Sequence, residues 1–170
     1  TRYVDRANPQ CSDTGPATEA MPRCTINAAA AIAVAGDTVL VASGTYNEKV
    51  TVKYSGTSVA PILLTPADGA SVTVTSPTYG FYMSAKSWIT IRGFTVDETV
   101  SYGIYAKDSF YITVSNNHVT RSGEPISGVT RAGTYLNNTS DSLVSGNLAD
   151  YNTDGGIKLN YGATRNRIVG

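Results

Sequence analysis

The chain of 170 residues carries 13 basic and 13 acidic side chains, one histidine and no net formal charge, with 16 glycines and 11 tyrosines. A charged fraction of 15% is low against an average of about 25%, and the balance excludes the basic face of a nucleic-acid binder. No apolar run approaches the ~18 residues of a membrane span, and the wealth of Thr, Val, Ser and Asn excludes both disorder and a helix bundle.

What remains is an all-β composition, long enough for a single domain over 1–170 with a real core. The opening segment, 1–24, holds both cysteines, Cys11 and Cys24, in a stretch rich in Pro, Gly, Ser and Thr. A disulfide between them would close a short loop, pin the amino terminus and imply an oxidising compartment; two unconnected thiols are the other reading. Zinc is a poor fit, since only His118 could join them from far along the chain. No leader is visible, so Thr1 is expected to follow a removed one, and a secreted location is expected.

Residues 25–36 predict the one helix. Thr25 can cap its first turn, a run of alanines favours it, and Gly36 suits a left-handed stop. Short strands follow at 38–41, 49–52, 61–64 and 71–74, each alternating with period two and ending in Gly, Pro, Asn or Asp.

From residue 80 the chain repeats. Gly80-Phe-Tyr-Met, Gly103-Ile-Tyr-Ala, Gly133-Thr-Tyr-Leu and Gly156-Ile-Lys-Leu begin successive units, evenly spaced except for a longer step between Gly103 and Gly133. A second strand follows in each unit (Trp88-Ile-Thr-Ile, Tyr111-Ile-Thr-Val, Ser142-Leu-Val, Arg167-Ile-Val), and a third begins near Phe94, Asn117 and Asn147. Units of this length with several short strands bury their inner face only by stacking on one another. Leucine-rich repeats would need a leucine framework and a propeller blade about 40 residues, so residues 37–170 predict a parallel β-helix of three-stranded coils.

Alternation sends Phe81/Met83, Ile104/Ala106, Thr134/Leu136 and Ile157/Leu159 inward, with Ile89/Ile91 and Ile112/Val114 on a second wall. Asn117 and Asn147 predict an amide ladder at one corner. The helix gains a role as the cap of the first coil. At the other end the sequence stops within a coil, at 167–170. The expectation is therefore the amino-terminal part of a longer solenoid, or an edge covered by another chain.

Tyr3-Val-Asp5, Cys24-Thr-Ile-Asn27, Ala35-Gly-Asp-Thr38, Ser43-Gly-Thr-Tyr46 and Ser55-Gly-Thr57 with Ala60-Pro-Ile62 resemble the amino-terminal region of secreted bacterial right-handed parallel β-helix proteins. In style they are nearest the pectate-lyase-like and the chondroitinase-B/alginate-lyase-like branches. The resemblance covers essentially the whole chain and implies the fold. It implies polysaccharide processing only as a class, because lyases, hydrolases, epimerases and non-catalytic surface proteins share the architecture.

Tyr82, Tyr105, Tyr135 and Lys158 form one outward column, suited to sugar binding or, equally, to stacking on itself. The longer unit carries seven extra residues around 121–131, so Arg121, Glu124 and Arg131 are expected to overhang that column. Elimination on a uronate polymer needs a cation to neutralise the sugar carboxylate and a base for the carbon-five proton; Arg131 and Lys158 are the pair in reach. Asp150 and Asp154 resemble, loosely, the acidic stretch by which some family lyases hold calcium, although a turn explains them as well. A hydrolase would need two facing carboxylates, and Asp97, Glu98, Asp108, Glu124 and Asp141 do not share a column. The expected function is an extracellular polysaccharide-processing protein, lyase-like on an acidic glycan. A non-catalytic glycan-binding or surface module is the alternative.

Overall fold

The fold is that of a computed structural model, described over residues 1–124 and 131–170. β1 (Arg2–Val4) and α1 (Ile26–Ala30) precede a regular series of coils. The first holds β2 (Thr38–Val41), β3 (Gly44–Asn47) and β4 (Val50–Thr51), and the second β5 (Ile62–Pro66), β6 (Val72–Ser76) and β7 (Tyr79–Ser84). The third is β8 (Ser87–Arg92), β9 (Thr95–Thr99) and β10 (Tyr102–Lys107), and the fourth β11 (Phe110–Ser115), β12 (His118–Thr120) and β13 (Ala132–Asn137). The fifth is β14 (Leu143–Ser145), β15 (Leu148–Asp150) and β16 (Ile157–Asn160), and β17 (Arg167–Val169) begins a sixth.

Like strands pair with like, always in parallel. The first sheet runs β1-β2-β5-β8-β11-β14-β17, the second β3-β6-β9-β12-β15 and the third β4-β7-β10-β13-β16. This is the expected all-β, right-handed parallel β-helix. The register records the repeat: Phe81 lies beside Ile104, and Tyr105 beside Tyr135 across the longer unit.

The core is a column of like residues rather than a globule. Val39/Val41, Ile62/Leu64, Ile89/Ile91 and Ile112/Val114 line the first sheet's inner face, and Phe81/Met83, Ile104/Ala106 and Thr134/Leu136 line the third's, all buried. In the fifth coil Ile157 and Leu159 keep the predicted register, but Ile157 is only half-buried and Leu159 is 36% exposed, because among the described residues no third-sheet strand packs beyond β16. β3 lies outside the predicted strands. Ser43, Gly44 and Asn47 read as turn formers, yet pairing with β6 and burial of Tyr46 hold the segment extended.

Amide stacking continues beyond the predicted pair. Asn117 donates through Nδ2 to Ile91 O and Asn147 Oδ1, both at 3.0 Å, and accepts from Phe94 N–H at 3.0 Å. Asn152 and Asn166 reach back one coil in the same manner, to Val119 O and Thr139 O. Each amide satisfies backbone groups that a sharp corner leaves unpaired.

The repeated glycines act by size. A Cβ on Gly80 would lie 2.6 Å from Gly103 O, and one on Gly103 2.8 Å from Gly133 O and 2.3 Å from Val119 Cγ1. Backbone meets backbone along this column, so no side chain fits. The left-handed bends are instead made by other residues, in columns one coil apart: Ala85, Asp108, Asn138 and Tyr161 at one corner, Trp88, Tyr111, Asp141 and Arg165 at the next.

The helix is shorter than 25–36. Thr25 caps it as predicted, its Oγ1 accepting from Ala28 N–H at 3.2 Å, and the Glu48 carboxylate accepts from Ile26 and Asn27 N–H at 2.8 Å each. It ends at Ala30, where the ladder tightens as Ile32 N–H bonds Ala29 O three residues back at 3.2 Å, and Val34 N–H, which a continuing helix would aim at Ala30 O, donates instead to Asp37 Oδ2 at 3.0 Å. Gly36 is left-handed, at φ +85°, in the turn that follows rather than at the helix end. The short helix packs on β1, β2 and β4 and buries Ile26, Ala29 and Ala30 over the open first coil. Nearby, Cys11 and Cys24 are disulfide-bonded.

Gly103→Ala is expected to lower the unfolding free energy by about 2 kcal/mol, read as an earlier urea midpoint, whereas Gly155→Ala, where a Cβ meets nothing within 4 Å, leaves the midpoint within error. Equal midpoints for the two variants would contradict the close-approach account.

Candidate functional site

The outer face of the third sheet carries the chain's largest aromatic cluster. In-register pairing sets Thr51, Tyr82, Tyr105, Tyr135 and Lys158 in one line across five strands. Tyr79 and Tyr102, also paired, add a second row. Rings of Tyr105 and Tyr135 stack at 5.2 Å and 6°, Tyr79 and Tyr102 at 5.9 Å and 4°, and Tyr102 bridges to Tyr105 and Tyr135 at 5.0 and 4.9 Å. Tyr135 is only 3% exposed and Tyr105 9%, so most of their ring area is spent on neighbouring rings, while Tyr79, Tyr82 and Tyr102 stay half-exposed. Each ring pair is worth about 0.5–1.5 kcal/mol beyond the area it buries.

Burial pushes the Tyr105 hydroxyl up to about 12 and raises Tyr102 and Tyr135 as well. The hydroxyls of these three tyrosines keep their protons and can donate as well as accept. Asn137 Nδ2 donates to the hydroxyls of Tyr105 and Tyr135 at 3.2 and 3.3 Å, fixing their orientation.

Cations fringe the wall. Lys158 Nζ lies 5.0 Å from the Tyr135 ring centre, the Arg131 guanidinium 5.6 Å from that of Tyr102, and Lys49 Nζ 5.5 Å from that of Tyr82. None of the three forms an ion pair among the described residues, although ion pairs hold Arg2, Lys107, Arg121 and Arg165. Arg131 Nε is buried with no hydrogen-bond partner among the described residues.

The other predicted residues lie elsewhere. Arg121 is drawn to the second sheet, paired with Asp97 of β9 and with Glu98 at 3.4 Å, and does not overhang the tyrosine column. Glu124 is tied through its backbone N–H to Val100 O, and residues 125–130 of the predicted overhang lie outside the described residues. Asp150 meets His118 Nε2 at 2.9 Å on the second sheet, whereas Asp154 accepts from the backbone N–H of Arg131. Asp97, Asp108 and Asp141 each have a partner of their own: Arg121, Lys107 and Arg165.

Tyr79, Tyr102 and Lys49 belong to the cluster but are not among the residues the sequence singles out. Tyr79 and Tyr102 repeat at the same interval as Tyr82 and Tyr105, which is a usable signal; Lys49 carries none.

A solenoid of stacked coils whose strands form three parallel sheets defines a parallel β-helix protein. Residues 25–170 match the family described as periplasmic copper-binding protein (NosD), and the chain belongs to that family. Its fold is similar to that of pectate lyase Pel9A, with a TM-score of 0.66 and 19% identity, over 94% of this chain and 50% of that one. It is also similar to a GH136 lacto-N-biosidase from Eubacterium ramulus, with a TM-score of 0.63 and 10% identity, over 92% and 36%. An uncharacterised Bacillus subtilis (strain 168) protein, YwoF, is 29% identical over 128 residues, 66% of this chain and 27% of its own length. The chain thus spans about a quarter of that curated relative and half or less of the two solved structures.

Three carboxylates sit below their ordinary value of 3.8. Asp150 is lowered by the Thr120 hydroxyl and then His118, and Asp141 by Arg165. For Asp37, burial works upward, but the Val34 N–H and Arg2 outweigh it and the net direction is down. Depressed values mean stability that is present above 3.8 and lost as pH falls through the folded-state values. The thermal midpoint is expected to drop on acidification below that point, and less steeply in Asp37→Asn than in the parent. An identical slope in the two would remove Asp37 from the account.

Proposed function

We propose that this chain supplies the acidic-glycan-binding wall of an extracytoplasmic, polysaccharide-processing β-helix protein. The observation that carries this reading is the arrangement of Lys49, Arg131 and Lys158, three cations without ion-pair partners among the described residues, over a tyrosine wall. Half-exposed ring faces of Tyr79, Tyr82 and Tyr102 suit the apolar face of a pyranose, and the cations suit the carboxylates of a uronate chain. The Cys11–Cys24 bond supports a secreted or periplasmic location, since such bonds persist in oxidising compartments. Pectate, the polymer named for the similar lyase, is itself a uronate chain.

The reaction class that this layout would serve is β-elimination. Arg131 would neutralise the sugar carboxylate, and the Lys158 amine would take the carbon-five proton. The released electron pair would form the new carbon–carbon double bond as the carbon-four oxygen leaves and is protonated by solvent. A second reading, binding without catalysis, draws on a specific observation: Lys158 and Arg131 each rest on a tyrosine ring, Tyr135 and Tyr102, an arrangement that serves binding without any proton transfer.

Copper, named in the family's description, finds no fitting donor set. Copper takes thiolate, thioether or imidazole ligands. Here both cysteines are bonded to each other, Met83 is buried in the core, the exposed Met21 lies in the amino-terminal segment, His118 is engaged by Asp150, and no three of His, Cys, Asp and Glu cluster among the described residues. Titration with Cu(I) and Cu(II) is expected to show no saturable uptake, and one-to-one saturation would overturn that conclusion.

Affinity electrophoresis through gels containing polygalacturonate or alginate is expected to retard the chain, with the retardation weakening as salt rises. Lys49→Ala and Lys158→Ala should each weaken binding about fivefold, the worth of roughly 1 kcal/mol. Unchanged mobility on both uronate polymers would sink the proposal. Growth of ultraviolet absorbance from an unsaturated uronate product, with or without calcium, separates elimination from binding alone.

A further inference from the structure

We infer that a second glycan site lies on the first sheet, at the shelf built by Trp88 and Tyr111, and that it takes a neutral pyranose. The two rings come from equivalent positions one coil apart and stack at 4.0 Å and 12°. Phe110 stands edge-on to Tyr111 at 5.6 Å, and Tyr111 and Phe110 are 41% and 45% exposed. Beside the shelf opens a cavity of about 260 Å³, lined also by Ser58, Pro61, Thr113 and Asp141.

Backbone geometry shows that these rings occupy an expensive position. Trp88 and Tyr111 sit at φ +57° and +54°, a region that bulky residues avoid and that Asn, Asp and Gly enter far more easily. The next corner along each coil is turned by Gly93, Asn116 and Gly146. The Trp88 corner is left-handed also at Asp141 and Arg165 in the coils that follow, so the bend belongs to the coil geometry and the rings are what distinguish its first two members.

The wall opposite the rings is also held in place. Gly56 donates its N–H to Ser87 O at 2.9 Å, and a Cβ there would lie 2.4 Å from Trp88 O. The loop bearing Ser58 and Pro61 is thereby clamped against the backbone of Trp88.

Charge decides the ligand. Asp141 is held by Arg165 through two bonds of 2.6 and 2.7 Å, so its charge is matched within the site. Hydroxyls of Ser58 and Thr113 remain for hydrogen bonding. An aromatic platform with hydroxyls and a matched acid–base pair fits an uncharged sugar, in contrast to the cation-fringed third sheet. The inference does not depend on the function proposed for that sheet.

Trp88 is the chain's single tryptophan, so its emission reports on this shelf alone. The intact chain is titrated with hexasaccharides of β-1,4-linked glucose, xylose, mannose and galactose, and with hexagalacturonate, each to about 10 mM, where a 1 mM complex would be ~90% formed. A saturable emission change with at least one neutral hexamer, together with protection of Trp88 from acrylamide quenching by the same hexamer, is expected. Tyr111→Asn, which suits the left-handed backbone but removes the ring, should abolish that response while keeping the parent's far-ultraviolet circular dichroism. No change with any neutral hexamer, a change with hexagalacturonate only, or a folded Tyr111→Asn that responds like the parent would each overturn the assignment.

Discussion

Each strand residue in the coils of this protein is constrained by the residue one coil away. Parallel, in-register pairing puts chemically equivalent positions about 4.8 Å apart along the axis, so a side chain that cannot tolerate a neighbour of its own kind is excluded. Aliphatics, amides and aromatic rings all tolerate such neighbours: one column becomes core, one an amide ladder, one a ring stack. Like charges repel at that spacing. The low charged fraction of the chain follows, as does the way its ion pairs are made: Arg165 with Asp141 and Arg121 with Asp97 join opposite charges in successive coils.

The same constraint separates the two faces that carry aromatic rings. On the third sheet the tyrosines exhaust much of their ring area on each other, and the side chains of the cations that approach them form no ion pair among the described residues. On the first sheet the stack is two rings long and gives way to a matched acid–base pair. One architecture thus offers a charged surface and a neutral one, on different sides of the same coils. A β-helix protein that handles a heteropolymer could use both.

Sequence alone makes the repeat legible because the spacing of Gly-Ile-Tyr-Ala and its relatives is a direct image of coil geometry. Inner and outer faces follow from alternation, and the Asn117–Asn147 contact from position. Local propensity misleads where tertiary contacts outweigh it. The alanine run favours a helix to residue 35, but Asp37 captures an amide that the helix needs. Ser43, Gly44 and Asn47 look like a turn, yet the neighbouring strand keeps them extended. The glycines at the start of each unit mark the repeat in the sequence; packing shows that they are there because nothing larger fits. Of the site, the tyrosine column is readable from its period. The direction of Arg121 is not, because an ion pair with Asp97 across coils leaves no trace in spacing.

The seven residues that lengthen the fourth coil leave its pairing intact, since Tyr105 still lies beside Tyr135 and Asn117 still reaches Asn147. Extra chain at a solenoid corner costs mainly loop-closure entropy, about 0.6 kcal/mol for each doubling of length. A solenoid therefore uncouples the length of a loop from the alignment of its sheets. The segment joining β12 to β13 can change in length and sequence without shifting the register of any of the three sheets.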